Sequence, residues 1–96
     1  MKNKVLITQD FAKNLKMYSE NKKSLAKKVL NLKIHIENFW LDLDFFKQYD
    51  IKNLWNNYFR VKFIPYRLII FIWENNTIEF VDFFKRKWKS DYKHYN

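Results

Sequence analysis

Arg60, Arg67 and Arg86 are the only arginines among nineteen basic residues, and all three fall in the last forty positions of a 96-residue chain. The other sixteen cations are lysines, in a sequence rich in Lys, Asn, Phe, Ile and Tyr that contains no glycine. Arginine kept against that background points to a need for its planar fork of donors, which grips phosphate as a point-charge ammonium does not. Tyr58, Tyr66, Trp88 and Tyr92 are interleaved with the arginines. Cationic forks beside aromatic rings make a surface for phosphate and unpaired bases.

Metal-free cleavage of RNA has three requirements. The 2′-hydroxyl must be aligned or activated, positive charge must meet the non-bridging phosphate oxygens, and a proton or cation must reach the departing 5′-oxygen. Arginine and lysine supply the second and third directly. They serve the first only where a lysine is depressed far below its ordinary pKa of about 10.4, as crowding by like charges tends to do. Lys62, beside Arg60 and facing Arg67 on a neighbouring strand, is the lysine best placed for this. Tyr58, Tyr92 or Trp88 stacking on a base contributes about 1–3 kcal/mol. Lys85, Lys87 and Lys89, around Trp88, extend the RNA-binding surface into the tail.

Other chemistries find no residues in suitable patterns. There is no supported Ser-His-Asp set, no glycine-rich phosphate loop and no histidine pair on a helix turn. The carboxylates Asp42, Asp44 and Asp50 read as caps and turns, with no partners that mark a metal site. His35 reads as a solvated helix residue and His94 as a solvated tail residue. The absence of cysteine excludes a disulfide framework, zinc-finger spacing and thiol catalysis, and no cofactor is expected.

The elements that must position the cations follow from periodicity. Val5-Leu6-Ile7 reads as a short strand running into a helix capped by Asp10, with Phe11, Leu15 and Tyr18 on one stripe. After a break at Ser19-Glu20-Asn21, Leu25, Val29, Leu32, Ile36, Phe39 and Trp40 keep helical spacing over about 20 to 40, with Leu30 and Ile34 widening the buried face. Lys27, Lys28, Asn31 and Asn38 fall on the solvated side. Residues 42 to 57 read as irregular, anchored by Phe45, Phe46 and Leu54. From Tyr58 the period becomes two: Phe59, Val61 and Phe63 point inward, and Tyr58, Arg60 and Lys62 outward. Pro65 makes a turn, Arg67 to Trp73 a central strand, Asn75-Asn76 a hairpin turn and Thr77 to Phe84 a third strand. Lys85 to Tyr95 forms a basic, aromatic tail.

The order β-α-α-β-β-β predicts a single α+β domain over 1–96, a small antiparallel-rich sheet with a two-helix hairpin packed on one face. The other face is expected to be open, with Arg60, Lys62 and Arg67 converging on it and Arg86 and Tyr92 joining if the tail folds over the sheet's end. The hydrophobic fraction of 48% supports a globular core. A net charge of +9 calls for a polyanionic or acidic partner. The longest aliphatic-aromatic run, Leu68 to Trp73, falls far short of a bilayer span, and no signal peptide is read after Lys4, so a cytoplasmic protein is expected.

Asn53-Leu54 leading into Tyr58-Phe59-Arg60-Val61-Lys62, then Tyr66-Arg67-Leu68-Ile69-Ile70, Phe84-Lys85-Arg86 and Tyr92, resembles the RelE/ParE superfamily of bacterial type II toxins. The resemblance covers nearly the whole chain as an element order and is concentrated in 53 to 92 at the residue level. It implies a toxin that enters the ribosomal A site and cuts mRNA by 2′-hydroxyl attack, neutralised by a cognate antitoxin. It also implies roles. Arg67 stabilises the phosphorane charge, Lys62 with Arg60 holds or activates the nucleophile, Arg86 assists the leaving group, and Tyr92 stacks on the substrate base. Two other functions are compatible: a ParE-like toxin that inhibits gyrase without RNA chemistry, and a non-catalytic basic RNA- or ribosome-binding protein. Where the family usually places glycine, this chain has Ile64-Pro65-Tyr66 and Trp55-Asn56-Asn57.

Overall fold

Helical stripes give way to alternating runs at about residue 50, and the layers divide there. The computed structural model, which describes residues 3–85, has β1 (Lys4–Ile7), α1 (Gln9–Ser19), α2 (Lys23–Phe39), α3 (Leu43–Gln48), β2 (Ile51–Trp55), β3 (Tyr58–Phe63), β4 (Tyr66–Trp73) and β5 (Thr77–Lys85). The strands form one mixed sheet in the order β1-β5-β4-β3-β2. β2 through β5 pair antiparallel in sequence, and β1 lies parallel to β5. Phe11 of α1, the Leu25, Val29, Leu32 and Ile36 row of α2, and Phe45 of α3 share one core with Val61, Phe63, Leu68, Ile70, Ile78, Phe80 and Phe83. The expected α+β layering, helices on one face of the sheet, is what forms. No helix among the described residues is long and apolar enough to cross a membrane.

The helix caps differ from expectation in one place. Thr8, not Asp10, caps α1: its Oγ accepts from the Phe11 amide at 3.1 Å and donates to the Val81 carbonyl at 2.7 Å. Val81 is the residue left unpaired by a bulge, since Ile69 pairs with Asp82 and Ile70 with Phe80. One hydroxyl therefore starts a helix and satisfies a carbonyl that the ladder has released.

On α2, Leu30 and Ile34 are exposed rather than widening the buried face, and Phe39 is exposed as well. At 3.6 residues per turn they project well away from the Leu25-Val29-Leu32-Ile36 row. The helix stops at Trp40, which takes a positive φ of 61° and donates its amide to Ile36. This conformation costs a non-glycine residue about 1–3 kcal/mol.

Residues 42 to 57 are not irregular. Asp42 caps α3, accepting from the Phe45 amide at 2.9 Å. Phe45 is buried but Phe46 is exposed. β2 follows as an edge strand whose Lys52, Asn53 and Trp55 are exposed, which hides the alternation, and a register shift between Asn53 and Trp55 breaks it further. Asn56 turns the chain with φ of 51°, while Asn53 Nδ2 donates to its carbonyl. His35 is half-buried, not solvated, with Nε2 2.8 Å from Asp42 Oδ1 and its ring beside Phe39 and Phe45. Its partner lies seven residues away, across the end of α2.

Thr8→Ala removes a cap and orphans the Val81 carbonyl, and urea denaturation should show a loss of about 1–2 kcal/mol. The hydrogen bond to His35, then that from the Phe45 amide, holds the Asp42 carboxyl below its ordinary value of 3.8. Because the folded pKa is the lower one, this stabilisation is complete above the ordinary value and is lost as pH falls through the folded value. Asp42→Asn should flatten that acid limb of the melting-temperature profile.

Candidate functional site

Strand alternation places Phe59, Val61 and Phe63 of β3 toward the helices and Tyr58, Arg60 and Lys62 on the opposite face. On β4, Arg67, Ile69 and Phe71 share that opposite face, because the register pairs Lys62 with Arg67, Arg60 with Ile69 and Tyr58 with Phe71. The Lys62 amide donates to the Asp50 carbonyl at 3.0 Å, away from β4. Lys62 and Arg67 thus form a non-hydrogen-bonded pair, whose Cα atoms approach to about 4.5 Å. The structure brings Arg60, Lys62 and Arg67 together on one sheet face.

That face is not open over its middle. Ile69 is fully buried although it points away from the helices, and Arg67 is only 7% exposed. Arg67 Nη1 donates to the Tyr66 carbonyl at 2.9 Å, while its buried Nε has no hydrogen-bond partner among the described residues. Arg60 is half-buried, with Nη2 3.1 Å from Asp50 Oδ2 and an Nε that is itself buried and unpartnered among the described residues. Asp50, read from the sequence as a turn residue, is the counter-charge of Arg60. An arginine cannot shed its charge, so an idle buried N–H keeps a desolvation penalty of about 1–3 kcal/mol until an acceptor arrives. Two guanidinium groups with idle donors beside an ammonium can donate hydrogen bonds to an oxyanion.

The remaining predicted residues are placed less uniformly. Tyr58 packs edge-on against Phe71, with ring centroids 4.8 Å apart. Lys85 is exposed but pairs with Tyr66, so it leaves the sheet on the helix side, opposite Lys62 and Arg67. Arg86, Lys87, Trp88, Lys89, Tyr92 and His94 lie outside the described residues. Among the described residues, no three His, Asp or Glu side chains cluster as metal ligands. Sequence reasoning missed Asp50 as the partner of Arg60, since the only signal, an acid ten residues upstream, has meaning only once β2 is recognised as a hairpin arm.

A five-stranded mixed sheet with its helices on one face defines the class: this chain has the RelE-like toxin fold. Its fold matches a chain in the crystal structure of the RelB–RelE antitoxin–toxin complex from Methanococcus jannaschii with a TM-score of 0.65 and 25% sequence identity. The match covers 95% of this chain and 99% of that one. No protein-family model matches the sequence, and neither does any curated protein.

Arg67→Met keeps the aliphatic bulk and removes a buried charge with an idle donor. Its urea midpoint should equal or exceed that of the parent protein, with a gain of up to about 1–3 kcal/mol.

Proposed function

We propose that this protein is the toxin of a toxin–antitoxin pair and acts as a ribosome-dependent mRNA endoribonuclease. The observation that carries the reading is the Lys62–Arg67 pair with Arg60 two residues along the same strand face, both guanidinium groups holding an unpartnered Nε. In the proposed reaction the 2′-oxygen attacks the adjacent phosphorus and the 5′-oxygen departs, leaving a 2′,3′-cyclic phosphate. Arg67 meets the charge that builds on the non-bridging oxygens, where a preformed donor in a water-poor site is most effective. Lys62 aligns the 2′-hydroxyl and Arg60 holds the phosphate. Arg86 and Tyr92 complete the set by the sequence resemblance, at the leaving oxygen and the base. The reaction needs no cofactor.

The partner proposed for the free toxin is a cognate antitoxin, supported by the complex in which the matching chain was solved. A net charge of +9 favours an acidic one. The ribosome and mRNA are the proposed targets, and the cytoplasm is the compartment that holds them.

Induction of the protein in cells should arrest growth, and primer extension should show codon-phased cuts in mRNA. Arg67→Ala and Lys62→Ala should each lower cleavage by about 10²–10³-fold, the effect of losing one transition-state donor. Arrest with intact mRNA and altered plasmid supercoiling would identify a gyrase inhibitor instead.

A further inference from the structure

On the helix side of the β3–β4 turn, a cleft of about 220 Å³ opens between that turn and the start of α2. Lys22, Ser24 and Lys28 supply its polar side, and Phe63, Ile64 and Tyr66 are part of its apolar wall. Lys22 Nζ lies 3.2 Å from the Tyr66 hydroxyl, which holds the ammonium at the cleft. Tyr66 itself is almost fully buried, so this wall is fixed by the core. The cleft is smaller than the ~300–1,000 Å³ typical of pockets that enclose a whole small ligand. It suits one unit of a polymer, a charged group at the lysines and a flat body against the exposed Ile64 and Pro65.

Charge decides what kind of polymer. Lys22, Lys23, Lys27 and Lys28 crowd the first turns of α2, a stretch with no acid in its first turn, and none of the four forms an ion pair among the described residues. Their mutual repulsion is relieved by a bound anion. Lys85, at the end of β5, pairs with Tyr66 and lies on the same face of the sheet. The cleft lies beside the turn that joins the two sheet faces: Phe63 and Tyr66 line it, and their sequence neighbours Lys62 and Arg67 are paired on the other face. A strand gripped at Lys62 and Arg67 therefore reaches Lys22 and Lys28 by passing around Ile64-Pro65.

The geometry points to a second RNA-binding subsite here, in which Lys22 and Lys28 take backbone phosphates and the exposed Ile64–Pro65 surface takes a neighbouring base of a single strand that wraps the β3–β4 turn. This deepens the nuclease reading and rests on it for the identity of the polymer. The test uses the full-length protein and a fluorescein-labelled 2′-O-methyl oligouridylate, which offers no free 2′-hydroxyl for attack, with binding read by anisotropy over a range of KCl. Lys22→Ala/Lys28→Ala should reduce the slope of log K against log salt by about 1.4, two contacts at ~0.7 each on a single strand. Lys23→Ala/Lys27→Ala removes the same charge from the same helix outside the cleft and should change the slope by less than half as much. All four lysines are exposed, so melting temperatures serve to confirm that both variants fold. Equal slopes for the two double variants would overturn the subsite, as would a Lys22→Ala/Lys28→Ala defect toward poly-glutamate with oligouridylate binding intact. Failure of the unsubstituted protein to bind the oligonucleotide at any salt would overturn the subsite alone, since the nuclease reading is decided by codon-phased cleavage in cells.

Discussion

The pairing of β3 with β4 is the interaction on which the site and the fold both depend. Six successive pairs run from Tyr58↔Phe71 to Phe63↔Tyr66. Because side chains alternate, the inward positions Phe59, Val61, Phe63, Leu68 and Ile70 and the outward positions Arg60, Lys62 and Arg67 are settled together. A one-residue slip of β3 would drive Arg60 and Lys62 into the helix-side core and expose Phe59, Val61 and Phe63, so the register is pinned by hydrophobic burial. The helices then serve the site indirectly. They cover the apolar face, and the strands that carry the cations need that cover to exist.

Within that frame, the arginines are placed at a cost to stability. A guanidinium that is 7% exposed, with an Nε that meets no acceptor, is less favourable in the fold than a methionine of similar bulk. Its retention makes sense as preorganisation: the donors are already desolvated and oriented before an oxyanion arrives. Arg60 is less deeply buried and has Asp50, just ahead of the edge strand β2, as a partly solvated counter-charge. The two cations are therefore not equivalent: among the described residues Arg67 donates to its neighbour's carbonyl, whereas Arg60 meets a carboxylate.

A chain without glycine has to make its sharp turns with other residues. Asn56, Asn75 and Asn76 take positive φ at the two tight turns, where a short amide side chain tolerates the left-handed region. Trp40 does so at the end of α2 without that advantage, and the adjacent His35–Asp42 bond fastens α3 across the same junction. These turns set where β2 and β3 begin, and so where Asp50 meets Arg60.

The alternation from Tyr58 to Phe84 and the helical stripes of Phe11 to Tyr18 and Leu25 to Ile36 are local patterns, and they alone were enough to define the layers, the inward and outward faces and the cationic group at Arg60, Lys62 and Arg67. Edge strand β2 was not legible, since its Lys52, Asn53 and Trp55 are exposed and a bulge breaks its period. The cap at Thr8, the His35–Asp42 bond and the Asp50–Arg60 pair were not legible either. Each joins residues whose proximity is created by packing rather than by spacing along the chain. Residue order determined which side chains share a face. Only the tertiary structure decided how deeply they are buried and which partners they meet, because desolvation and hydrogen-bond geometry are properties of the assembled sheet and not of any segment in it.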